Sequence, residues 1–141
     1  MNSQNYVVMS KSSNFSIQVR GTLILVDLTG DWSEQDDLSY LSALTEQIAH
    51  INREPWGLLV DMRGWRVQDA ATEPTFKIAL DRRNQKVECW IVDDLQQGDF
   101  LLPHFKNTSH KPSKFLNPTE AIKYIEKLGF SMPTNQILSK N

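Results

Sequence analysis

GLLVDM, residues 57–62, is a short apolar run that predicts a central β-strand buried on both faces. Upstream, residues 23–28 form a similar apolar run. In residues 15–19, apolar and polar side chains alternate, as is typical of a half-buried strand. Gly21 permits a tight turn between these two upstream strands, so we expect a hairpin. Downstream, residues 87–92 (VECWIV) predict a further central strand.

Helical signals separate these strands. Ser33 begins a capping box with Asp36, followed by apolar residues at helical spacing up to residue 51. Thr72 is predicted to cap a second helix over residues 72–84. A short helix interrupted at Pro103 is expected over residues 95–105, and a short strand over 114–116. Asn117 caps a final helix that has proline in its first turn.

The element order is therefore β-β-α-β-α-β-α-(β)-α, which predicts an α/β fold. We expect one domain with a mixed, mainly parallel sheet of four to five strands covered by about four helices. The boundaries are predicted at residues 1–13 for an N-terminal tail or edge strand, 14–130 for the domain and 131–141 for a C-terminal tail. An exposed first strand would allow a homodimer by edge pairing.

Composition excludes several classes of protein. The 141 residues are 40% hydrophobic and 23% charged, with a net charge of −2, which argues against a nucleic-acid partner. No apolar run is long enough for a membrane span. The single cysteine excludes an internal disulfide, and the N-terminus lacks a secretory pattern, so the expected location is the cytoplasm. The basic stretch 104–114 is interpreted as a solvated loop, with an anion or acidic-partner site as the alternative.

The parallel arrangement brings the ends of several strands to one rim, where open α/β sheets usually bind their ligands. Exposed tryptophan and arginine are typical anchors of binding surfaces. We therefore predict a protein-binding surface made by Trp32, Arg63, Trp65, Arg66, Asp69, Ala71 and Thr72. The alternative is that both tryptophans fold back as lids over the helix ends.

Residues 61–72 (DMRGWRVQDAAT) resemble the segment D-L-S-G-V-x-F-I-D-S-S-G of STAS domains, the SpoIIAA-like family. Asp61, Gly64 and Asp69 match that segment. The closing residues 115–125 (FLNPTEAIKYI) resemble the end of SpoIIAA-like proteins of unassigned function.

The resemblance implies a bacterial regulatory or protein-interaction module without catalytic activity. The family's phosphorylated serine falls on Ala71, so the resemblance also implies that the serine switch is absent. Thr72 offers a neighbouring hydroxyl, for which helix capping is the expected role.

Two other functions remain open from the residues. Related folds hold ligands in a pocket, and a carrier or sensor of a small apolar or anionic ligand would line its pocket with Phe76, Trp90, Phe100, His104 and Phe105. An enzyme would be built on Asp61, Asp69, Asp93 or His104. No metal-ligand spacing or cofactor motif is found, so no metal or cofactor is predicted. Cys89, in the middle of a strand, is expected to be an inert buried thiol.

Overall fold

The computed structural model describes residues 10–11, 14–68, 72–106, 108 and 111–132. Their strands are β1 Ser10–Lys11, β2 Phe15–Arg20, β3 Leu23–Leu28, β4 Gly30–Trp32, β5 Trp56–Asp61, β6 Trp65–Val67, β7 Gln85–Ile91 and β8 Ser113–Phe115. Their helices are α1 Glu34–Ile51, α2 Glu73–Lys77, a 3₁₀ helix Asp99–Phe105 and α3 Pro118–Lys127.

Over the described residues, one six-stranded sheet has the order β1-β2-β3-β5-β7-β8. Strands β1 and β2 are antiparallel to their neighbours, and the pairs β3–β5, β5–β7 and β7–β8 are parallel. The predicted hairpin and the predicted mixed, mainly parallel sheet with covering helices are confirmed. The domain boundaries stay a prediction.

Each face of the sheet carries its own hydrophobic core. Side chains alternate along β3, so that Val26 joins the core beneath α1 while Leu25 joins the core beneath α3. The α1 core contains Leu44 and Ile48 of that helix, whereas Ile125 of α3 packs into the second core. Because every central strand is covered on both sides, the continuous apolar runs of the sequence are explained.

The predicted helix starts are confirmed at α1 and α3. The Ser33 hydroxyl accepts from the Asp36 amide at 3.1 Å, and the Asp36 carboxylate accepts from the Ser33 amide at 2.8 Å. The Asn117 side chain accepts from the Glu120 amide at 2.9 Å. Both caps satisfy backbone donors that have no partner within the helix.

The second helix differs from its prediction. It ends at Lys77 rather than at residue 84, and the Thr72 side chain makes no capping hydrogen bond. The carboxylate of Asp37 in α1 instead accepts from the Thr75 amide at 2.8 Å. The chain leaves the helix in extended conformation at Ile78, and the Arg82 guanidinium then pairs with Glu88 of β7.

Two short strands form a separate layer beyond the main sheet. β4 and β6 pair in parallel, which sets Gly30 opposite Trp65 and Trp32 opposite Val67. The Gly30 amide donates to the Gly64 carbonyl at 2.9 Å. This layer brings the rings of Trp32 and Trp65 to a centroid distance of 5.5 Å in an edge-to-face arrangement.

Candidate functional site

A cavity of about 70 Å³ lies between the sheet and the elements that cover its α1 face. Its aromatic wall consists of Trp32, Tyr40, Trp65, Trp90 and Phe105. Its aliphatic wall includes Leu28, Leu44, Leu58, Val60, Met62 and Leu101. Strands, α1 and the 3₁₀ helix each contribute to these walls, so residues far apart in the sequence form the cavity.

Polar side chains also reach this cavity, namely Asp37, Thr72, Thr75, Arg82, Glu88 and His104. The Thr75 hydroxyl donates to Asp37 at 2.7 Å, in addition to the backbone bond that caps α2. Burial raises the pKa of Asp37, while its hydrogen bonds with Thr75 act in the opposite direction. Asp37 therefore holds α2 against α1 at the edge of the cavity.

The Glu88 carboxylate is fully engaged on the sheet side of the cavity. It accepts from Arg82 at 2.6 Å, from Gln85 Nε2 at 2.9 Å and from Trp90 Nε1 at 2.7 Å. The Arg82 guanidinium also lies 4.6 Å from the ring centroid of Phe105. This network fixes the orientation of the Trp90 ring and neutralises a carboxylate that is almost wholly buried.

His104 and Tyr40 complete the polar part of the lining. Burial lowers the pKa of His104, and the positive charge of Arg82 lowers it further. The imidazole is therefore neutral at pH 7. Burial raises the pKa of Tyr40, so its phenol keeps its proton at any physiological pH.

The predicted exposure of two rim tryptophans is wrong. Trp32 is 3% exposed and Trp65 is 6% exposed, because the β4–β6 layer turns both rings inward onto the α1 core. This burial agrees with the alternative in which the tryptophans fold back. Neither ring is an exposed anchor for a partner.

The remaining described residues of the predicted protein-binding surface have separate environments. Arg63 donates twice to Asp61, which is fully buried and also accepts from the Arg63 amide. Arg66 and Asp31 form an ion pair in which both side chains are largely exposed. Thr72 is 3% exposed, so its hydroxyl is shielded in the folded domain. Asp69 and Ala71 lie outside the described residues.

Of the residues predicted to line a ligand pocket, some line the cavity in the structure and others do not. Trp90, His104 and Phe105 do line the cavity. Phe100 is absent from the described lining: it is 41% exposed, and its ring lies outside, 6.0 Å from that of Trp65. The backbone of Phe76 belongs to α2, and its side chain lies outside the described part of the chain.

The lining residues missed by the sequence analysis are chiefly the polar ones, Asp37, Arg82 and Glu88. In the sequence, Asp37 resembles any acidic residue in the first turn of a helix, where it favours the positive end of the helix dipole. The sequence signal for this network was Glu88, a carboxylate within the apolar run of β7. A charge buried in a central strand requires a partner of opposite charge or hydrogen-bond donors nearby.

Two of the residues considered for an enzyme, Asp61 and Asp93, lie near the same Arg63 guanidinium and already accept hydrogen bonds. Asp61 pairs with Arg63, and Asp93 accepts from the Gly64 amide at 2.8 Å. Cys89 is buried in the α3 core, and burial raises the pKa of its thiol to about 12. Over the described residues, no cluster of three histidine, cysteine or acidic side chains has the arrangement of a metal site.

In the part of the chain that the structure describes, none of the helices has the length and apolar character needed to cross a bilayer. In the basic stretch, Lys114 donates to Asp99 and to the Leu95 carbonyl, which gives this side chain a structural role.

Comparison with known proteins identifies the fold. No family model matches the sequence, and no curated protein matches it significantly. The structure is similar to a crystal structure of an uncharacterised protein from the DUF3478 family with a SpoIIAA-like fold, from Shewanella loihica. The TM-score is 0.57 at 14% sequence identity, and the match covers 84% of this chain and 91% of that one.

Proposed function

We propose that this domain, which has the SpoIIAA-like fold, is a noncatalytic module that carries or senses a small ligand in its aromatic cavity. The observation that carries the proposal is the cavity itself, whose described lining combines five aromatic rings and several aliphatic side chains with a few polar side chains at fixed positions. Ligand sites in proteins typically combine apolar walls with a small number of polar groups.

The polar groups of the cavity support binding rather than catalysis. Asp37 is bound to Thr75, and Glu88 is bound to Arg82, Gln85 and Trp90. A general base must present a free lone pair to the proton of its substrate, and a nucleophile needs an adjacent base. These carboxylates are instead used to hold the walls together, which suits a rigid receptor.

Two adjacent leucines provide a matched test. Leu101 lines the cavity, whereas Leu102 is 36% exposed and is not among the described lining residues. We expect native mass spectrometry of the protein isolated from its own source to show additional bound mass. Leu101→Trp should remove that mass by filling the cavity, and Leu102→Trp should retain it. A wild-type protein that carries no additional mass would contradict the proposal.

A second candidate is a regulatory protein-interaction module that uses the strand-end rim. The observation that favours it is an exposed surface on which the Phe100 ring packs beside Trp65, while Arg66 and Asp31 remain accessible. Solvent-exposed aromatic and arginine side chains are frequent at interfaces.

Crosslinking in cells would test this second candidate. Phe100→Ser and Arg66→Ser should each remove the same crosslinked partner, whereas Arg53→Ser should retain it. Arg53 is a matched control because it is an exposed arginine that precedes β5, at the edge of the sheet opposite the strand ends. A partner that all three variants retain equally would exclude the rim as its binding surface.

A further inference from the structure

We infer that the ligand of the cavity is an amphiphile whose short hydrocarbon end lies against the sheet while its polar group stays at the opening of the cavity. This inference rests on the proposed ligand-binding function, and it specifies the chemical class of the ligand and the direction in which it enters. The positions of the polar side chains, their hydrogen bonds and the volume of the cavity each contribute to it.

The sheet side of the cavity is apolar. The side chains there come from β3, β5 and β7 and from the residue that follows β5, and each residue is at most 3% exposed: Leu28, Leu58, Val60, Met62 and Trp90. We call these five residues the floor. Its one polar atom, Trp90 Nε1, already donates to Glu88 at 2.7 Å. A ligand oxygen or nitrogen placed on the floor would therefore lose its hydration without compensation.

The other buried polar side chains of the lining leave the floor apolar. The carboxylates of Asp37 and Glu88 already accept hydrogen bonds from neighbouring side chains. The indole nitrogens of Trp32 and Trp65 both lack an acceptor among the described residues, but they have almost no accessible surface, so a ligand in the cavity does not reach them. Thr72 precedes α2 and belongs to the elements that cover the cavity, not to the sheet.

The opening of the cavity is polar. Because the cavity is partly open, its opening must lie where lining residues reach the surface. The half-buried residues of the described lining, which we call the mouth, come from α1, from residues 75–82 and from the 3₁₀ helix: Tyr40, Thr75, Leu80, Arg82, Leu101 and His104. Most of them carry a hydroxyl, guanidinium or imidazole group. A polar group of the ligand keeps its contact with water at the mouth and loses it on the floor.

The volume limits the length of the hydrocarbon end. An apolar cavity of ~150 Å³ accommodates benzene. This cavity has about 70 Å³ and is roughly half as large. It therefore encloses about three carbon atoms, and any longer part of the ligand extends through the mouth.

Two probes with the same four-carbon chain test the direction of entry. 1-Butanol has one polar end and places a methyl group on the floor, whereas 1,4-butanediol has two polar ends and must place a hydroxyl there. Each is titrated at millimolar concentration into the full protein labelled with ¹³C at its methionine methyl groups. Met62 reports on the floor, and Met62→Leu assigns its resonance. Met132 is the internal control, because it is buried in the core beneath α3, on the opposite face of the sheet.

We expect 1-butanol to shift the Met62 methyl resonance and to leave that of Met132 unchanged. The terminal methyl group of 1-butanol, and not its hydroxyl-bearing carbon, should show a nuclear Overhauser effect to Met62. The diol should bind at least roughly fivefold more weakly, because a hydroxyl buried without a hydrogen-bond partner is costly. The Overhauser measurement uses the wild-type protein, so the direction of entry is tested even if a variant fails to fold.

A matched pair of variants tests whether the floor itself causes this preference. Val60→Thr places a hydroxyl on the floor in a side chain of nearly the same shape, so it should reduce the preference for 1-butanol over the diol. Val92→Thr should retain the preference, since Val92 is buried in the same core but is not among the described lining residues. Equal loss of preference in the two variants would overturn the role of the floor.

The length of the chain distinguishes a short free amphiphile from the tail of a lipid. Affinity should rise about fourfold for each methylene group from ethanol to 1-butanol, as full burial of a methylene predicts. From 1-butanol to 1-octanol the gain should fall below about twofold for each methylene, because the added carbons lie outside the enclosed volume. A fourfold gain that continues to 1-octanol would exclude the short hydrocarbon end and assign the cavity to a longer chain.

The remaining contrary outcomes distinguish this inference from the proposed function. If hydroxyl-bearing carbons of both probes contact Met62, the apolar floor is excluded while the ligand-binding function stands. If 1-butanol leaves Met62 unchanged although the protein isolated from its source carries additional bound mass, the amphiphile is excluded and the function again stands. If 1-butanol leaves Met62 unchanged and no additional mass is bound, the inference and the proposed function both fail.

Discussion

The carboxylate of Asp37 in α1 accepts hydrogen bonds from both the amide and the hydroxyl of Thr75 in α2, at 2.8 and 2.7 Å. Asp37 is 3% exposed, so this link between the two helices is almost wholly removed from water. The buried carboxylate caps a helix that begins on a different part of the chain. One side chain thereby combines a stabilising contact with the cost of burying a charge.

The raised pKa of Asp37 predicts the pH dependence of an Asp37→Asn variant. Burial raises the pKa of the folded carboxyl above its ordinary value of 3.8, so the folded chain binds this proton more tightly than the unfolded chain. The contribution of Asp37 to stability is therefore greatest below the unfolded pKa and declines as pH rises through the folded pKa. Relative to Asp37→Asn, the wild type should gain free energy of unfolding as pH falls from 7 to 4.

Urea denaturation across this pH range measures the difference between the two proteins. Glu46→Gln is a matched control, since Glu46 is an exposed acidic residue on the same helix. A wild-type advantage that shrinks on acidification would mean that the folded pKa of Asp37 is lowered rather than raised.

Glu88→Ala should destabilise the domain strongly. The change leaves the partly buried Arg82 guanidinium with Gln85 but without its carboxylate partner at 2.6 Å, and it also removes the acceptor of the buried Trp90 Nε1. Breaking one side of a buried ion pair costs about 3–5 kcal/mol of unfolding free energy. Urea denaturation should show this loss.

The exposed ion pair between Arg83 and Asp81 provides the comparison, because solvent screens such pairs. Arg83→Ala should leave the denaturation midpoint almost unchanged. Equal effects of Glu88→Ala and Arg83→Ala would contradict the structural importance of the buried network.

Gly98→Ala should cost more than Gly64→Ala, although both glycines have positive φ, of 84° and 77°. A Cβ atom at Gly98 would lie 2.8 Å from the Trp90 ring, whereas one at Gly64 meets no atom within 4 Å. The left-handed conformation costs roughly 1–2 kcal/mol at either position, and displacing the ring adds about 1–3 kcal/mol at Gly98. Thermal denaturation and the Trp90 indole resonance would reveal the difference, and equal losses in both variants would argue against contact with the ring.

Cys89 should resist thiol reagents in the folded protein. The residue is fully buried, and burial raises the pKa of its thiol to about 12, so neither access nor ionisation favours reaction. A chromogenic disulfide reagent at pH 8 should react slowly in buffer and rapidly in urea. Rapid stoichiometric reaction in buffer would show that the β7 thiol is accessible.

The sequence was sufficient to predict a strand or a helix start wherever the pattern that specifies it lies within a few residues. The apolar run of β5 and the caps at Ser33 and Asn117 each follow from short-range chemistry. They place β5 and the starts of α1 and α3, and the alternation of strands with helices along the chain specifies a mainly parallel sheet. The fold class therefore followed from the sequence without knowledge of distant contacts.

The candidate site was harder to predict because its key features depend on residues far apart in the chain. Trp32 and Trp65 are buried by the pairing of two three-residue strands, which are too short to show a hydrophobic period. The early end of α2 accompanies the contact between Arg82 and Glu88, and its cap comes from Asp37 in α1. From the sequence alone, an aspartate whose carboxylate caps a distant helix looks the same as an aspartate that faces water.

The β4–β6 layer has a consequence for how this architecture could diversify. Both strands are only three residues long and pair with each other rather than with the six-stranded sheet, yet each contributes a tryptophan to the cavity wall. Under the proposed ligand-binding function, substitutions in this layer would change ligand preference while leaving the ladder of the main sheet intact. The layer is thus the natural position at which to randomise residues when selecting variants of this domain for new ligands.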